Sequence, residues 1–228
     1  RGHDPILCEA TDTLGGQFLT AGEAPRKKEM KAAAISMAKK AERLGVDIRM
    51  NTKVTPEMIE EIKPHTVMNA IGAESIIPPI PGVDKAFVKD SHDVLDGKAE
   101  VTGNVVVIGG GMVGMETAEY LAEKGAKVSV LEMLPDICSD MGTTRKICMG
   151  EEIQKSGIIP VTSVKVTEIG DNVVIGEKDG EKVEFPCDAA VLAIGAKKRD
   201  GSALAETCYK NGIGYFEIGD AAMARRAI

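Results

Sequence analysis

A chain of 228 residues with 43% hydrophobic and 28% charged side chains has the balance of a soluble globular protein, long enough for one large domain or two modest ones. Its net charge of −7 argues against nucleic acid as a partner, because phosphate binding needs a basic face. No apolar run approaches the roughly 18 residues of a membrane span and no secretory leader is read, so no membrane partner is expected and a cytoplasmic location is.

Ile6-Leu7-Cys8-Glu9 predicts a short buried strand ending in an acid, followed by the glycine loop Leu14-Gly15-Gly16-Gln17. Over residues 27–44, Met30, Ala34, Met37, Ala41 and Leu44 recur at helical spacing, which predicts a core-facing stripe that Gly45 terminates. Lys27-Lys28 and Lys39-Lys40 are expected on solvated helix faces. Residues 46–50 predict a strand, 56–62 a short helix with Pro56 in its first turn, and 66–71 a strand running into Gly72. Ile77-Pro78-Pro79-Ile80-Pro81-Gly82 has three prolines without an N–H donor, so it reads as a linker and closes a first domain at 1–82.

The densest signal follows. Asn104-Val105-Val106-Val107-Ile108 is a strand, Gly109, Gly111 and Gly114 make Gly-x-Gly-x-x-Gly, and Ala118, Leu121 and Ala122 continue as a helix. Strand, tight turn and helix N-terminus together form the arrangement that holds a dinucleotide diphosphate on backbone amides. A second strand, Lys127-Val128-Ser129-Val130-Leu131, ends in Glu132, 18 residues beyond Gly114, where a ribose-binding acid belongs. The nucleotide-binding set is Gly109, Gly110, Gly111, Met112, Val113, Gly114, Glu132, Met133 and Gly195. Glu132 would repel a 2′-phosphate: two like charges about 4 Å apart cost about 1 kcal/mol in water and about 4 kcal/mol at an effective dielectric near 20. Met133-Leu134-Pro135 offers no Arg to receive that phosphate, so NAD(H) is preferred over NADP(H).

A helix over 141–156 is closed by Gly157. Three short runs at 164–169, 173–175 and 183–185 predict an antiparallel insert, the last two joined across Asp179-Gly180. Strand 189–194 ends in Gly195, which bounds the nucleotide domain at 83–196. The remaining 197–228 returns to the first domain through a last strand ending in Gly219 and Asp220. Lys197-Lys198-Arg199 is expected as a solvated loop. Cys8, Cys138, Cys148, Cys187 and Cys208 have no Cys-x-x-Cys spacing, so they read as free thiols. His3, His65 and His92 have no metal-ligand spacing and are expected in structural or surface roles. No catalytic or metal-ligating residue is assigned, and hydride transfer needs none, because its chemistry belongs to the cofactor rings.

Glu9 with Leu14-Gly15-Gly16-Gln17, Ala70-Ile71-Gly72, the glycine fingerprint with Glu132, and Ile218-Gly219-Asp220-Ala221 resemble the two-dinucleotide-binding flavoprotein superfamily. Gly15-Gly16-Gln17-Phe18 with Ala24-Pro25-Arg26-Lys27-Lys28-Glu29 is similar to the C-terminal half of the NADH:flavin oxidoreductases related to 2,4-dienoyl-CoA reductase, 2-enoate reductase and trimethylamine dehydrogenase. The resemblance implies an α/β fold of two Rossmann-like three-layer domains: a partial FAD-binding domain and an inserted NAD(P)-binding domain carrying an antiparallel β-meander. It implies FAD contacts from Glu9, Gly16, Gln17, Ala70, Gly72, Gly219 and Asp220. It further implies that the chain is a fragment passing hydride from NADH to FAD in its parent, as in NADH oxidases and enoate or dienoyl-CoA reductases. An FMN, an iron–sulfur cluster and a barrel domain would lie in the remainder, and a homo-oligomer is compatible. The FAD glycine fingerprint would stand upstream of Arg1, with Arg1-Gly2-His3-Asp4 as the turn leaving its helix, and the tail 221–228 would begin a flavin-proximal helix. Ile71 departs from the usual Ala-Thr-Gly and loses a hydroxyl. Two alternatives stand: a disulfide reductase of the thioredoxin or glutathione type, which lacks its cysteine pair here, and a non-catalytic NAD(H)-binding module.

Overall fold

Alternation along one strand explains the layering of the larger unit. In Asn104–Ile108, Val105 and Val107 join the core on one face of a parallel sheet while Val106 and Ile108 join the core on the other. The computed structural model describes residues 2–139 and 141–224, and of Thr143 and Thr144 the backbone alone. Arg1, which begins the expected opening turn, and residues 225–228 of the expected last helix lie outside the described residues.

In chain order the first elements are β1 (Ile6–Cys8), α1 (Gln17–Ala21), α2 (Lys28–Arg43), β2 (Asp47–Arg49), α3 (Pro56–Ile62), β3 (Thr66–Asn69) and β4 (Ala73–Ser75). There follow β5 (Val88–Asp90), α4 (Ser91–Leu95), β6 (Asn104–Ile108), α5 (Met112–Glu123), β7 (Lys127–Leu131), α6 (Thr143–Ser156) and β8 (Ile159–Val161). Then come β9 (Lys165–Ile169), β10 (Val173–Lys178), β11 (Glu181–Pro186), β12 (Ala189–Leu192), β13 (Ala196–Lys198), α7 (Ser202–Lys210) and β14 (Gly214–Glu217), with a 3₁₀ turn at Gly219–Ala221. The chain divides into two compact units, one of residues 1–19, 30–74 and 196–228, the other of residues 20–29 and 75–195. The proline segment 77–82 lies inside the second.

The second unit is built on a parallel sheet of order β5-β12-β6-β7-β8. Val94 of α4 and Met115, Ala118 and Leu121 of α5 pack on one face, with Val105, Val107, Val130 and Val191. On the other face Val164, just before β9, and Ile169 and Val174 of the β9-β10-β11 meander cover Val106, Ile108, Ala190 and Leu192. The register Lys178↔Glu181 leaves Asp179-Gly180 as the two-residue hairpin loop.

In the first unit β1 pairs with β2 and β3 with β14, both in parallel, and β4 pairs with β13. Parallel strands are ordinarily covered on both faces, yet Met68 and Phe216 are each 58% exposed. The stripe on α2 is corrected by the structure: Met37 is 58% and Leu44 72% exposed, and Ala34 is the helix's buried residue. Ala34, Met37, Ala38 and Ala41 of the helix line an apolar groove with Leu7, Leu14 and Phe18. Lys197 and Lys198 are exposed, as expected, but belong to strand β13 and not to a loop, and pair with Glu74 and Glu217.

Candidate nucleotide-binding site

Strand order selects the place. From β6 the chain goes through α5 to β7 and then β8 on one side, whereas β12 and β5 lie on the other. The order therefore reverses at β6, and in open parallel sheets the crevice at the carboxyl end of such a strand receives the ligand. Gly109 follows β6 with φ +110°, and a Cβ there would overlap the Ala193 carbonyl at the end of β12. A Cβ at Gly114 would overlap the Gly109 carbonyl, so the first turn of α5 sits hard against the loop. At Gly111 a Cβ would meet nothing within 4 Å: this glycine borders open space.

Gly111 is also the N-cap of α5, with φ −72° and no side-chain cap. The first intrahelical bond runs from Met115 N–H to the Gly111 carbonyl at 3.0 Å. The amides of Met112, Val113 and Gly114 precede it and form the positive end of a helix. Such an end suits an anion.

Glu132 follows β7 and is 9% exposed. Its Oε2 accepts the Gly110 N–H at 2.7 Å and its Oε1 accepts the Leu134 N–H at 2.8 Å. The Gly110 carbonyl in turn accepts the Cys138 N–H at 2.8 Å. The glycine turn is thus held through both the N–H and the carbonyl of Gly110 by the segment after β7. Each carboxylate oxygen retains acceptor capacity for a sugar hydroxyl. Met133 beside it is exposed, and Gly195, between β12 and β13, offers its carbonyl to Ile76 N–H at 3.0 Å.

Two clusters in this unit carry no sequence motif. Lys27 pairs with Glu116 of α5, and Arg26 pairs with Glu119 of α5 and with Glu152 of α6, the latter at 3.3 Å. Lys27 is 20% exposed, which corrects its expected solvated position, while Lys28 is exposed. The other cluster is Ser75, Asp90 and His92. His92 Nδ1 stands 3.0 Å from Ser75 Oγ and 3.3 Å from Asp90 Oδ1, and Asp90 Oδ1 accepts the His92 N–H at 2.8 Å. Burial opposes ionisation of Asp90, yet the hydrogen bonds from His92 and Ser75 outweigh it and hold the carboxyl at about 2. The same Asp90 bond raises His92 against the effect of burial.

In the first unit Glu9, Ala70, Gly72, Gly219 and Asp220 follow the carboxyl ends of strands, while Gly16 and Gln17 stand at the start of α1. Glu9 follows β1, and its Oε1 accepts the Thr11 N–H at 2.8 Å. Gln17 Nε2 donates to the Ala73 carbonyl at 3.3 Å, next to Gly16 in a left-handed turn. Register Glu217↔Asn69 puts Ala70 and Gly72 beside Gly219 and Asp220. Buried Asn69 fastens that edge. Its Nδ2 donates to Tyr215 Oη at 2.7 Å, its Oδ1 accepts Ile71 N–H at 3.1 Å and its carbonyl accepts Ile218 N–H at 2.9 Å. Glu9 lies on the other strand pair. Among the described residues no disulfide forms and no group of three or more His, Cys, Asp or Glu could hold a metal. Burial pushes the Cys187 thiol up to about 11 and also raises Cys208.

Residues 56–218 match the family model described as pyridine nucleotide-disulphide oxidoreductase. The chain is 42% identical over 197 residues to a bilirubin reductase of Mediterraneibacter gnavus, covering 86% of this chain and 31% of that one. It is 40% identical over 226 residues to an NADH oxidase of Thermoanaerobacter brockii, covering 97% and 35%. A solved 2-naphthoyl-CoA reductase, in complex with 2-naphthoyl-CoA, superposes with a TM-score of 0.92 at 29% identity, over 99% of this chain and 34% of that one. The chain spans about a third of the length of the curated relatives it matches.

Proposed function

The chain belongs to the pyridine nucleotide-disulphide oxidoreductase family, and from that premise we propose that its second unit is the NAD(H)-binding module of an FAD-dependent oxidoreductase. The observation that carries the reading is the uncapped start of α5 at the strand-order reversal, open at Gly111 and flanked by the buried Glu132 carboxylate. The amides of residues 111–114 would hold the diphosphate. Glu132 would accept the adenosine ribose hydroxyls and disfavour a 2′-phosphate, giving NADH over NADPH. When bound, NADH supplies a hydride and FAD accepts it. The protein's part is to hold the dinucleotide at the carboxyl edge of the sheet.

The first unit would bring Glu9, Gly16, Gln17, Ala70, Gly72, Gly219 and Asp220 to FAD, with chain outside residues 1–228 completing the diphosphate grip. Its half-exposed parallel strand pairs and the threefold greater length of the relatives support that division. Alone, the chain would hold FAD weakly, since each lost bond to a charged phosphate is worth about 1.5–3 kcal/mol. An NADH oxidase and a bilirubin reductase among the relatives support NADH-driven reduction by the whole protein; an FMN, an iron–sulfur cluster and a barrel domain in the remainder would follow from the motif resemblance alone. The cysteines speak against thiol exchange: two are buried with raised thiols, and no pair has redox spacing.

Gly111→Ala tests the reading. The backbone there suits alanine and the added Cβ touches nothing, so the variant should melt as the wild type does. It should nevertheless bind NADH at least about tenfold more weakly in a fluorescence titration, because the methyl group occupies the approach to the amides. Wild-type affinity in the variant would place the diphosphate elsewhere.

A further inference from the structure

Register aligns four strands at the edge where the nucleotide would lie. Asp90 of β5 stands opposite Leu192 of β12, Leu192 opposite Ile108 of β6, and Ile108 opposite Leu131 of β7. Adjacent strands are about 4.8 Å apart. Glu132 is therefore one spacing from the glycine turn on one side, and the Asp90–His92 corner is two spacings away on the other. The two nucleosides of a dinucleotide leave the diphosphate in opposite directions. With the adenosine on Glu132, the nicotinamide half runs over β12 toward β5, where the imidazole stands.

That imidazole is fixed through one nitrogen. Ser75 Oγ and Asp90 Oδ1 both approach Nδ1, and Asp90 also accepts the His92 amide, so the ring cannot turn without breaking these contacts. Among the described residues Nε2 makes no hydrogen bond, on a side chain 28% exposed. We infer that His92, held by Ser75 and Asp90, receives the carboxamide of the nicotinamide ring through Nε2. A carboxamide offers an acceptor oxygen and a donor NH₂, so it matches Nε2 in either protonation state. Nicotinamide is thereby distinguished from a plain sugar end, and the contact sets which face of the ring is presented. Ser75 and Asp90 are positioning residues for this contact.

The inference rests on the nucleotide reading of the second unit, and ADP-ribose separates the two. ADP-ribose keeps the adenosine, the diphosphate and the second ribose but lacks the nicotinamide. Affinities of the full chain for NADH and for ADP-ribose are measured by calorimetry in the wild type and in His92→Ala and Ser75→Ala. His92→Ala should weaken NADH about five- to tenfold, the worth of one hydrogen bond, and leave ADP-ribose unchanged. Ser75→Ala should weaken NADH less, with the same selectivity, because it loosens the ring without removing it. Unchanged NADH affinity in both variants, or equal weakening of both ligands in Ser75→Ala, overturns the assignment of His92. A wild type that binds neither ligand overturns the nucleotide reading itself.

Discussion

At Glu132 one carboxylate is asked to hold a ribose and already holds the turn beside it, through Gly110 and Leu134. Glu132→Gln keeps the shape but turns an NH₂ toward one of those two N–H groups, which leaves a buried donor unmet at a cost of about 1–3 kcal/mol. The variant should melt at a lower temperature and bind NADH more weakly, and its NADH-to-NADPH affinity ratio should move toward one. A ratio that stays put would remove the ribose role while leaving the structural one. His92 gives a pH dependence of definite sign. Its value is raised in the fold above the ordinary 6.5, so its stabilising contribution is fully present below about pH 6.5 and fades as pH rises through the folded value. Asp90 is lowered from 3.8 to about 2; its contribution is present above about pH 3.8 and is lost as pH falls toward 2. Thermal melts from pH 6 to 9 should therefore show a decline that His92→Gln flattens. A parallel decline in the variant would assign it to other groups.

The elements that a local signal defines are those the sequence made legible. A β-branched run, a glycine triplet and a following apolar period specify β6, the turn and α5 within about 20 residues, and Asp179-Gly180 specifies its hairpin with no help from elsewhere. The stripe on α2 shows the limit. Helical spacing predicts which side chains share a face but not how much surface meets that face, and here Ala34 is buried while Met37 and Leu44 stay exposed. The partners of the segment 20–29 are equally illegible in the sequence. Arg26 and Lys27 find Glu119 and Glu116 some 90 positions away, and only the fold brings that basic pair onto the acidic turn of α5. Lys27→Met and Glu116→Gln should each destabilise the chain, and the double variant should recover part of the loss. A coupling of about 1–2 kcal/mol in urea denaturation is expected, between that of an exposed pair and a buried one. Zero coupling would leave the pair without structural weight.

At the scale of the whole molecule the two units differ in how well each buries its own strands. The second has a core on both faces of its sheet; the first leaves apolar strand residues half exposed. Calorimetry should resolve two transitions, and NADH at 100 times its dissociation constant should shift only the second unit's transition, by about 2.7 kcal/mol. A shift of both together would make the chain one cooperative body. The resemblance drawn from the motifs held, since the family match and the relatives are flavoprotein oxidoreductases or their kin. By itself the sequence determined the family, the α/β class and the glycine turn with its acid, because each is written in contiguous residues whose backbone preferences and hydrophobic period act locally. Only the tertiary structure decided that Glu132 clasps Gly110, that Lys27 meets Glu116, that Asn69 ties two strand ends together and that Ser75 meets His92. Those contacts join residues 17 to 146 positions apart, and no local preference encodes a partner at that range.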